Sequence, residues 1–126
     1  MENSTMRKEP EQWFLDAHPE RGSVRVQVST GRGLFPVEGA RVEIYRRLGP
    51  EPTVFYEGVT DASGIAEDIR LPALPAGWSQ SAETAGISGT VYQVSVRHPQ
   101  HGTVEGRPVT VFPRIETVLA VSLGAA

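Results

Sequence analysis

The stretch from residue 36 to residue 71 constrains the fold most, because alternating apolar and polar residues are separated in it by turn residues. Every second residue from Ala40 to Ile44 is apolar, which is typical of a strand with one buried face and one exposed face. Further along, the chain reads Thr-Asp-Ala-Ser-Gly. The Asp61 carboxylate is expected to accept a backbone N–H two residues on, and Gly64 to take the positive φ of a tight reversal. The pattern predicts β-strands joined by tight turns.

The same alternation recurs along most of the chain. The predicted strands are Ser23–Ser29, Ala40–Arg46, Thr53–Val59, Ile65–Leu71, Tyr92–Arg97, a strand marked by Val109 and Val111, and Thr117–Leu123. Pro72 and Pro75 are expected to end the fourth strand, because proline supplies no N–H to a sheet. No helical pattern is long enough to connect parallel strands. The sequence therefore predicts an all-β fold, an antiparallel Greek-key β-sandwich of about seven strands.

The two termini differ from the sandwich, which we assign to residues 23–123. Residues 1–22 are polar around one apolar cluster, and we interpret them as an N-terminal arm with a short helix near Pro10 that ends before Pro19. Residues 124–126 form a tail. Within the arm, Trp13 and Phe14 either cover an open end or edge of the domain's own core or dock onto another subunit.

The segment from residue 73 to residue 90 is the longest predicted loop, since it has no sustained period and is rich in small residues. A loop of this length in a small domain is typically functional or mobile. Trp78 lies within it and is interpreted either as a plug over one end of the core or as a contact residue, because tryptophan is enriched in binding hot spots.

Composition limits the classes of function. A chain of 126 residues fits one domain. Its net charge of −3, with 12 scattered basic residues, argues against nucleic acid as a partner. The sequence contains no cysteine, no apolar span long enough for a membrane and no signal-peptide pattern, so we expect the chain to be cytoplasmic at synthesis, with a spore or a released assembly as further destinations.

No motif indicates a metal, a cofactor or a catalytic centre. His98 and His101 could share a metal, but zinc takes four ligands and no further ligands lie near them, so solvated turn histidines are the better interpretation. Asp61, with Glu67 and Asp68 nearby, offers too few oxygens for calcium, and a structural turn is preferred. No serine lies in a nucleophile motif. We expect no cofactor.

Three motifs indicate a family. They are Pro-Val-Glu-Gly-Ala-Arg-Val from Pro36, Val-Thr-Asp-Ala-Ser-Gly from Val59 and Tyr-Gln-Val-Ser-Val from Tyr92. With these motifs the segment from residue 22 to residue 123 resembles the carboxypeptidase regulatory-like domains, which share the prealbumin (transthyretin-like) sandwich, and it is most similar to copies from spore-forming anaerobic bacteria. The resemblance implies about seven strands and a non-catalytic role in bracing, assembly or binding. The sequence departs from the family at the turn from His98 to Gly102, where the usual glycine and aromatic residue are replaced.

A hydrolase of the same fold, which acts on hydroxyisourate, ends in Tyr-Arg-Gly-Ser and carries histidines on inner strands. This chain ends in Ser-Leu-Gly-Ala-Ala, and its histidines are predicted in the arm and in one turn, so that activity is not expected.

We therefore predict a non-enzymatic β-sandwich subunit or accessory interaction module of a bacterial surface, spore or other protein assembly. The candidate contacts with a protein partner, or with a second copy, are Trp13, Phe14, Tyr56 and Trp78. The segment Thr53–Tyr56 is short and weakly charged, so as an edge strand it could pair with a partner or with a neighbouring arm. The alternative is a carbohydrate- or peptidoglycan-binding module with Tyr56, Trp78 and Tyr92 as an aromatic platform, although Tyr92 is expected in the core.

Overall fold

A computed structural model describes residues 10–74 and 89–124 of the chain. The described residues form one helix and eight strands, which are α1 (Pro10–Ala17), β1 (Glu20–Thr30), β2 (Phe35–Pro36), β3 (Arg41–Arg47), β4 (Pro52–Val59), β5 (Ile65–Ala73), β6 (Thr90–His98), β7 (Gly102–Val111) and β8 (Glu116–Ser122). The prediction of a short helix near Pro10 is confirmed. The predicted contact residue Trp78 lies outside the described residues, as does most of the predicted long loop.

The strands form two four-stranded sheets. In sheet A, β1 lies between β5 and β8, and the short β2 pairs with the end of β1. In sheet B the order is β4-β3-β6-β7, and all pairs are antiparallel. The pairing of β1 with β8 is parallel and is the exception among the described strands. The all-β antiparallel sandwich predicted from the alternation is confirmed, apart from this one parallel pair.

The core lies between the two sheets and is built from alternate residues of each strand. Along β1, for example, Val24, Val26 and Val28 are buried while the residues between them face outward. The fully buried side chains are mostly β-branched, which suits the pleated surface of a sheet. The largest of them are Tyr92, Ile44, Ile69, Leu71, Val24, Val26, Val28, Val42, Val94, Val96, Val111 and Val121.

The strands extend beyond several of their predicted limits. Strand β1 begins at Glu20, inside the predicted arm, because Glu20 pairs with Ala73. The prediction that Pro72 ends its strand is wrong, since β5 continues to Ala73. Strand β5 is an edge strand, where proline is tolerated because no neighbour needs its missing N–H. The Pro72 carbonyl instead accepts a hydrogen bond from the buried hydroxyl of Tyr92.

The turn between β4 and β5 has the geometry expected from its residues. The Asp61 carboxylate accepts hydrogen bonds from the N–H groups of Ser63 and Ile65, at 2.9 and 3.0 Å. Gly64 has a φ of +77°, and a Cβ at this position would lie 2.4 Å from the carbonyl oxygen of Val28. Glycine is therefore required here for both conformation and space.

A candidate interaction surface

Helix α1 covers one end of the sandwich with an aromatic side chain. Its sequence, PEQWFLDA, starts with proline, which is well tolerated in the first turn of a helix. Phe14 points inward and is only 8% exposed, and the half-buried Leu15 packs against the same core. Since burial of a phenylalanine contributes about 2–3 kcal/mol, Phe14 is the main anchor of the helix. Phe14 is thus part of this chain's own core.

Phe14 anchors the helix through contacts with rings from two strands of sheet B. Its ring centroid lies 5.6 Å from that of Phe55 on β4 and 6.2 Å from that of Tyr92 on β6. Phe55 and Tyr92 also contact each other, at 5.3 Å. The three rings meet at tilted or edge-to-face angles, which aromatic quadrupoles favour.

Two basic side chains complete the cluster. The Arg46 guanidinium lies 5.1 Å from the Phe14 ring centroid, within cation–π range, and also donates a hydrogen bond to the Val91 carbonyl. The His18 ring stacks on Phe14 at 3.9 Å, and its Nδ1–H donates to the Phe14 carbonyl oxygen at 2.7 Å. Burial lowers the pKa of His18 and the positive charge of Arg46 lowers it further, although the hydrogen bond to Phe14 opposes them. His18 is therefore held towards its neutral form.

Trp13, the residue before Phe14, faces away from the core. Its side chain is 59% exposed. Because successive residues of a helix point about 100° apart, burying Phe14 turns Trp13 towards water. Large exposed aromatic side chains are unusual on a soluble surface and enriched where proteins bind.

Strand β4 lies beside this helix and forms one edge of sheet B. Among the described strands it pairs with β3 alone, so part of its N–H and C=O groups faces outward. Val54 precedes Phe55, which is half-buried against Phe14. Val54 itself is opposite Tyr45 on the outer face and is 48% exposed. We call Trp13, Val54 and the free main-chain edge of β4 the arm–edge surface.

The tyrosines proposed for contact or for a glycan platform point into the sandwich. Tyr92 is fully buried, and burial raises its pKa. Tyr56 is half-buried, is opposite the core residue Ile44, and lies over Gly58, where a Cβ would meet its hydroxyl at 2.1 Å. Burial also raises the pKa of Tyr56. Neither tyrosine is exposed.

The other two histidines lie at the far end of the sandwich. The rings of His98 and His101 are 4.8 Å apart in the turn between β6 and β7, and the Gln100 N–H donates to Nδ1 of His98 at 3.1 Å. Residues 10–74 and 89–124 contain no group of three or more potential metal ligands. Asp61 uses its carboxylate within its own turn.

A polar groove of about 500 Å³ lies at one end of the outer face of sheet A. Its charges are balanced, with Arg114 3.7 Å from Glu20. No aromatic residue lines it; the lining residues are Pro19, Glu20, Arg21, Gly22, Ser23, Asp68, Arg70, Arg114 and Glu116. The groove therefore lacks the stacking surface that the carbohydrate alternative requires.

The contacts of Phe14 with Arg46, Phe55 and His18 were not predicted from the sequence. A signal was present only for His18, which is four residues after Phe14 and so on the same side of a helix. Arg46 and Phe55 contact Phe14 because of the order of the strands in sheet B, and no local sequence pattern predicts that order.

None of the helices within residues 10–74 and 89–124 has the length and apolarity needed to cross a membrane.

No known protein-family model matches the sequence, and no curated protein matches it, so the carboxypeptidase regulatory-like resemblance stays a prediction. Solved structures with similar backbones include transthyretin from Sparus aurata, with a TM-score of 0.49, 15% identity, and coverage of 81% of this chain and 90% of that one. They also include 5-hydroxyisourate hydrolase from Klebsiella pneumoniae, with a TM-score of 0.45, 13% identity, and coverage of 82% and 92%. Both TM-scores are below 0.5 and both identities are low, so neither match carries a fold family, an activity or a ligand over to this chain.

Proposed function

We propose that the protein is a non-enzymatic β-sandwich subunit that joins a protein assembly through its arm–edge surface. The observation that carries the proposal is the split between two adjacent aromatic residues. Phe14 anchors the helix in the core, where it contacts Phe55 of the edge strand β4, and the anchored helix presents Trp13 to the outside, 59% exposed. A rigidly held aromatic residue loses little entropy on binding, which favours a contact role.

The edge of β4 supports the same role. A free strand edge can pair with an extended segment of another chain through main-chain hydrogen bonds. Val54 and Val59 on this strand are 48% and 58% exposed, so pairing would also bury apolar area. The resemblance to carboxypeptidase regulatory-like domains, many of which brace or join assemblies, agrees with this proposal. A bacterial surface or spore assembly is the setting that the resemblance suggests.

The positions of the histidines support a role other than catalysis. His18 donates its Nδ1–H to the Phe14 carbonyl and stacks on the anchor ring, so its role is structural. His98 and His101 lie in an exposed turn at the other end of the sandwich.

Light scattering of the full chain over a wide concentration range tests the proposal. We expect the mass to rise above the 13.7 kDa of one chain as concentration increases. Trp13→Ser should keep the variant monomeric. The matched control is Leu34→Ser, because Leu34 is 74% exposed on the β1–β2 hairpin and lies outside the arm–edge surface. A full chain that stays monomeric throughout, or assembly unaffected by Trp13→Ser, would contradict the proposal.

A further inference from the structure

The four edge strands of the sandwich differ in how well they resist pairing with another chain. Strand β5 has a register shift, with Asp68 at a φ of +62°, and contains Pro72. Strand β7 has a register shift, with Gly106 at a φ of +72°, and contains Pro108. Strand β4 is protected less, since its proline is its first residue, Pro52, and Thr53–Val59, which has the register shift with β3, contains no proline. Bulges and prolines of this kind protect edges from unwanted pairing.

Strand β8 has none of these features. Its seven residues, ETVLAVS, contain no proline and no basic residue. They pair with seven consecutive residues of β1, Ser23–Ser29, without a register shift. Among the described strands β8 pairs with β1 alone, so the N–H and C=O groups on its other side form a regular, unprotected row.

Sheet A has one long strand fewer than sheet B, and we place the missing position next to β8. It has three long strands, β5, β1 and β8, whereas sheet B has four. Between the two sheets β4 contacts β5 and β7 contacts β8, so the position of a further strand in sheet A is the free edge of β8. Burial agrees with this arrangement. Val104 on β7 is directly opposite Val96 and shares its inward face, yet Val96 is fully buried and Val104 only half-buried.

An arginine lies on the same inward face of β7. Arg107 is directly opposite the fully buried Val94 and is half-buried. No ion pair joins it to a carboxylate of the described residues. The hydroxyl of Thr117 on β8 donates to the Thr110 carbonyl on β7, at 2.9 Å, so β7 and β8 are close at Thr110, three residues after Arg107. A guanidinium at the open side of a sandwich is suited to a carboxylate from outside the chain.

We propose that an extended segment of a partner polypeptide adds to β8 as a further strand of sheet A, beneath β7. Every second side chain of the partner segment points into the sandwich. Apolar side chains among them cover Val104, and one carboxylate among them pairs with Arg107. Main-chain hydrogen bonds to β8 supply affinity, and the alternating apolar and acidic side chains supply specificity. This strand-addition site lies on sheet A and is separate from the arm–edge surface on sheet B.

NMR titration of the ¹⁵N-labelled full chain with a synthetic peptide tests the site. The probe is acetyl-Thr-Val-Thr-Glu-Thr-Val-Thr-amide, which carries Val, Glu and Val on one face. We expect amide shifts confined to β8 and to the first half of β7. Replacing the peptide Glu by Gln should weaken binding about tenfold, the loss of one charge-assisted pair. Proline in place of the Thr before the Glu should abolish binding.

Exchanging the charges of Arg107 and of the peptide Glu distinguishes specific pairing from nonspecific binding. The Arg107→Glu variant should not bind the Glu peptide. It should bind the same peptide with Lys in place of the central Glu. Arg97→Gln is the matched control, because Arg97 is exposed on the outer face of sheet B, and it should bind as the unaltered chain does.

Absence of shifts in β8, shifts confined to β4, or equal affinity for the Glu and Gln peptides would overturn the inference. Trp13→Ser should bind the peptide normally, so failure of the arm–edge surface and failure of the β8 site give different results.

Discussion

The two ends of the sandwich are closed in different ways. At one end, the Asp61–Gly64 turn is held mainly by hydrogen bonds between residues at most four apart, with one further bond from the Val28 N–H to the Gly64 carbonyl. At the other end, α1 is held by Phe14 against Phe55 and Tyr92, which are far away in sequence. The local closure depends on backbone geometry, whereas the distant one depends on apolar packing and contains a titratable ring. Of these two closures, the packed one contains a ring whose pKa is lowered by burial, so we expect its stability to depend on pH.

The largest effect is expected from removing the anchor of the packed end. Phe14→Ala should lower the free energy of unfolding by about 3–5 kcal/mol, as for other buried phenylalanines. Denaturant unfolding followed by circular dichroism measures it. The neighbouring change Trp13→Ala should shift stability by no more than about 0.5 kcal/mol, since that side chain is exposed. Equal losses for the two variants would contradict the assignment of Phe14 as the anchor.

The next effect tests the turn. Gly64→Ala forces a Cβ to within 2.4 Å of the Val28 carbonyl oxygen at a positive φ, so we expect a loss of about 2–3 kcal/mol. Gly39→Ala is the control, because Gly39 has a φ of +78° with nothing within 4 Å of the added Cβ. There only the backbone strain remains, about 1 kcal/mol. Thermal unfolding distinguishes them, and a larger loss for Gly39→Ala would be inconsistent with steric closure at Gly64.

A smaller effect is expected at the side chain that closes the same turn. Asp61→Ala removes the acceptor of two backbone hydrogen bonds and should cost about 1 kcal/mol, because the released N–H groups are exposed to water. Asp61→Asn keeps an acceptor oxygen and should retain most of the stability. An unchanged unfolding midpoint for Asp61→Ala would show that the turn is held by its backbone alone.

The smallest effect is a pH dependence at the packed end. Because the pKa of His18 is lowered in the folded protein, the unfolded chain binds the proton more readily. The stability contributed by neutral His18 is therefore complete above the ordinary pKa of 6.5 and falls as the pH drops below it. Unfolding midpoints from pH 7.5 to 5 measure this effect. His18→Phe should flatten the dependence in that window, and an unchanged slope would assign it to other groups.

The turn and the packed end also differ in what sequence reasoning predicts. Alternating valines fixed the inward faces of β1, β3 and β6, and the Asp-Ala-Ser-Gly chemistry predicted the turn, because both depend on near neighbours. The first half of β7 was missed, since Glu105, Gly106 and Arg107 break the alternation where the strand bulges. Pro72 was misinterpreted because a local rule cannot tell an edge strand from a central one.

The candidate surface was predicted only in part for the same reason. The sequence indicated that Trp13 and Phe14 must be hidden or bound, but which of them faces inward depends on the helix position over Phe55 and Tyr92. The inward orientation of Tyr56 depends on its register opposite Ile44. The inward positions of Phe14 and of Tyr56 both depend on the order and register of the strands, which no short-range sequence pattern predicts.

Amide hydrogen exchange of the full chain at low and high protein concentration tests the central claim most directly. The account predicts that protection in Thr53–Val59 rises with concentration, while protection of the Asp61–Gly64 turn stays constant. The rise should disappear in Trp13→Ser. Exchange that is independent of concentration in β4, or protection that rises while Trp13→Ser leaves it unchanged, would contradict a contact role for the arm–edge surface.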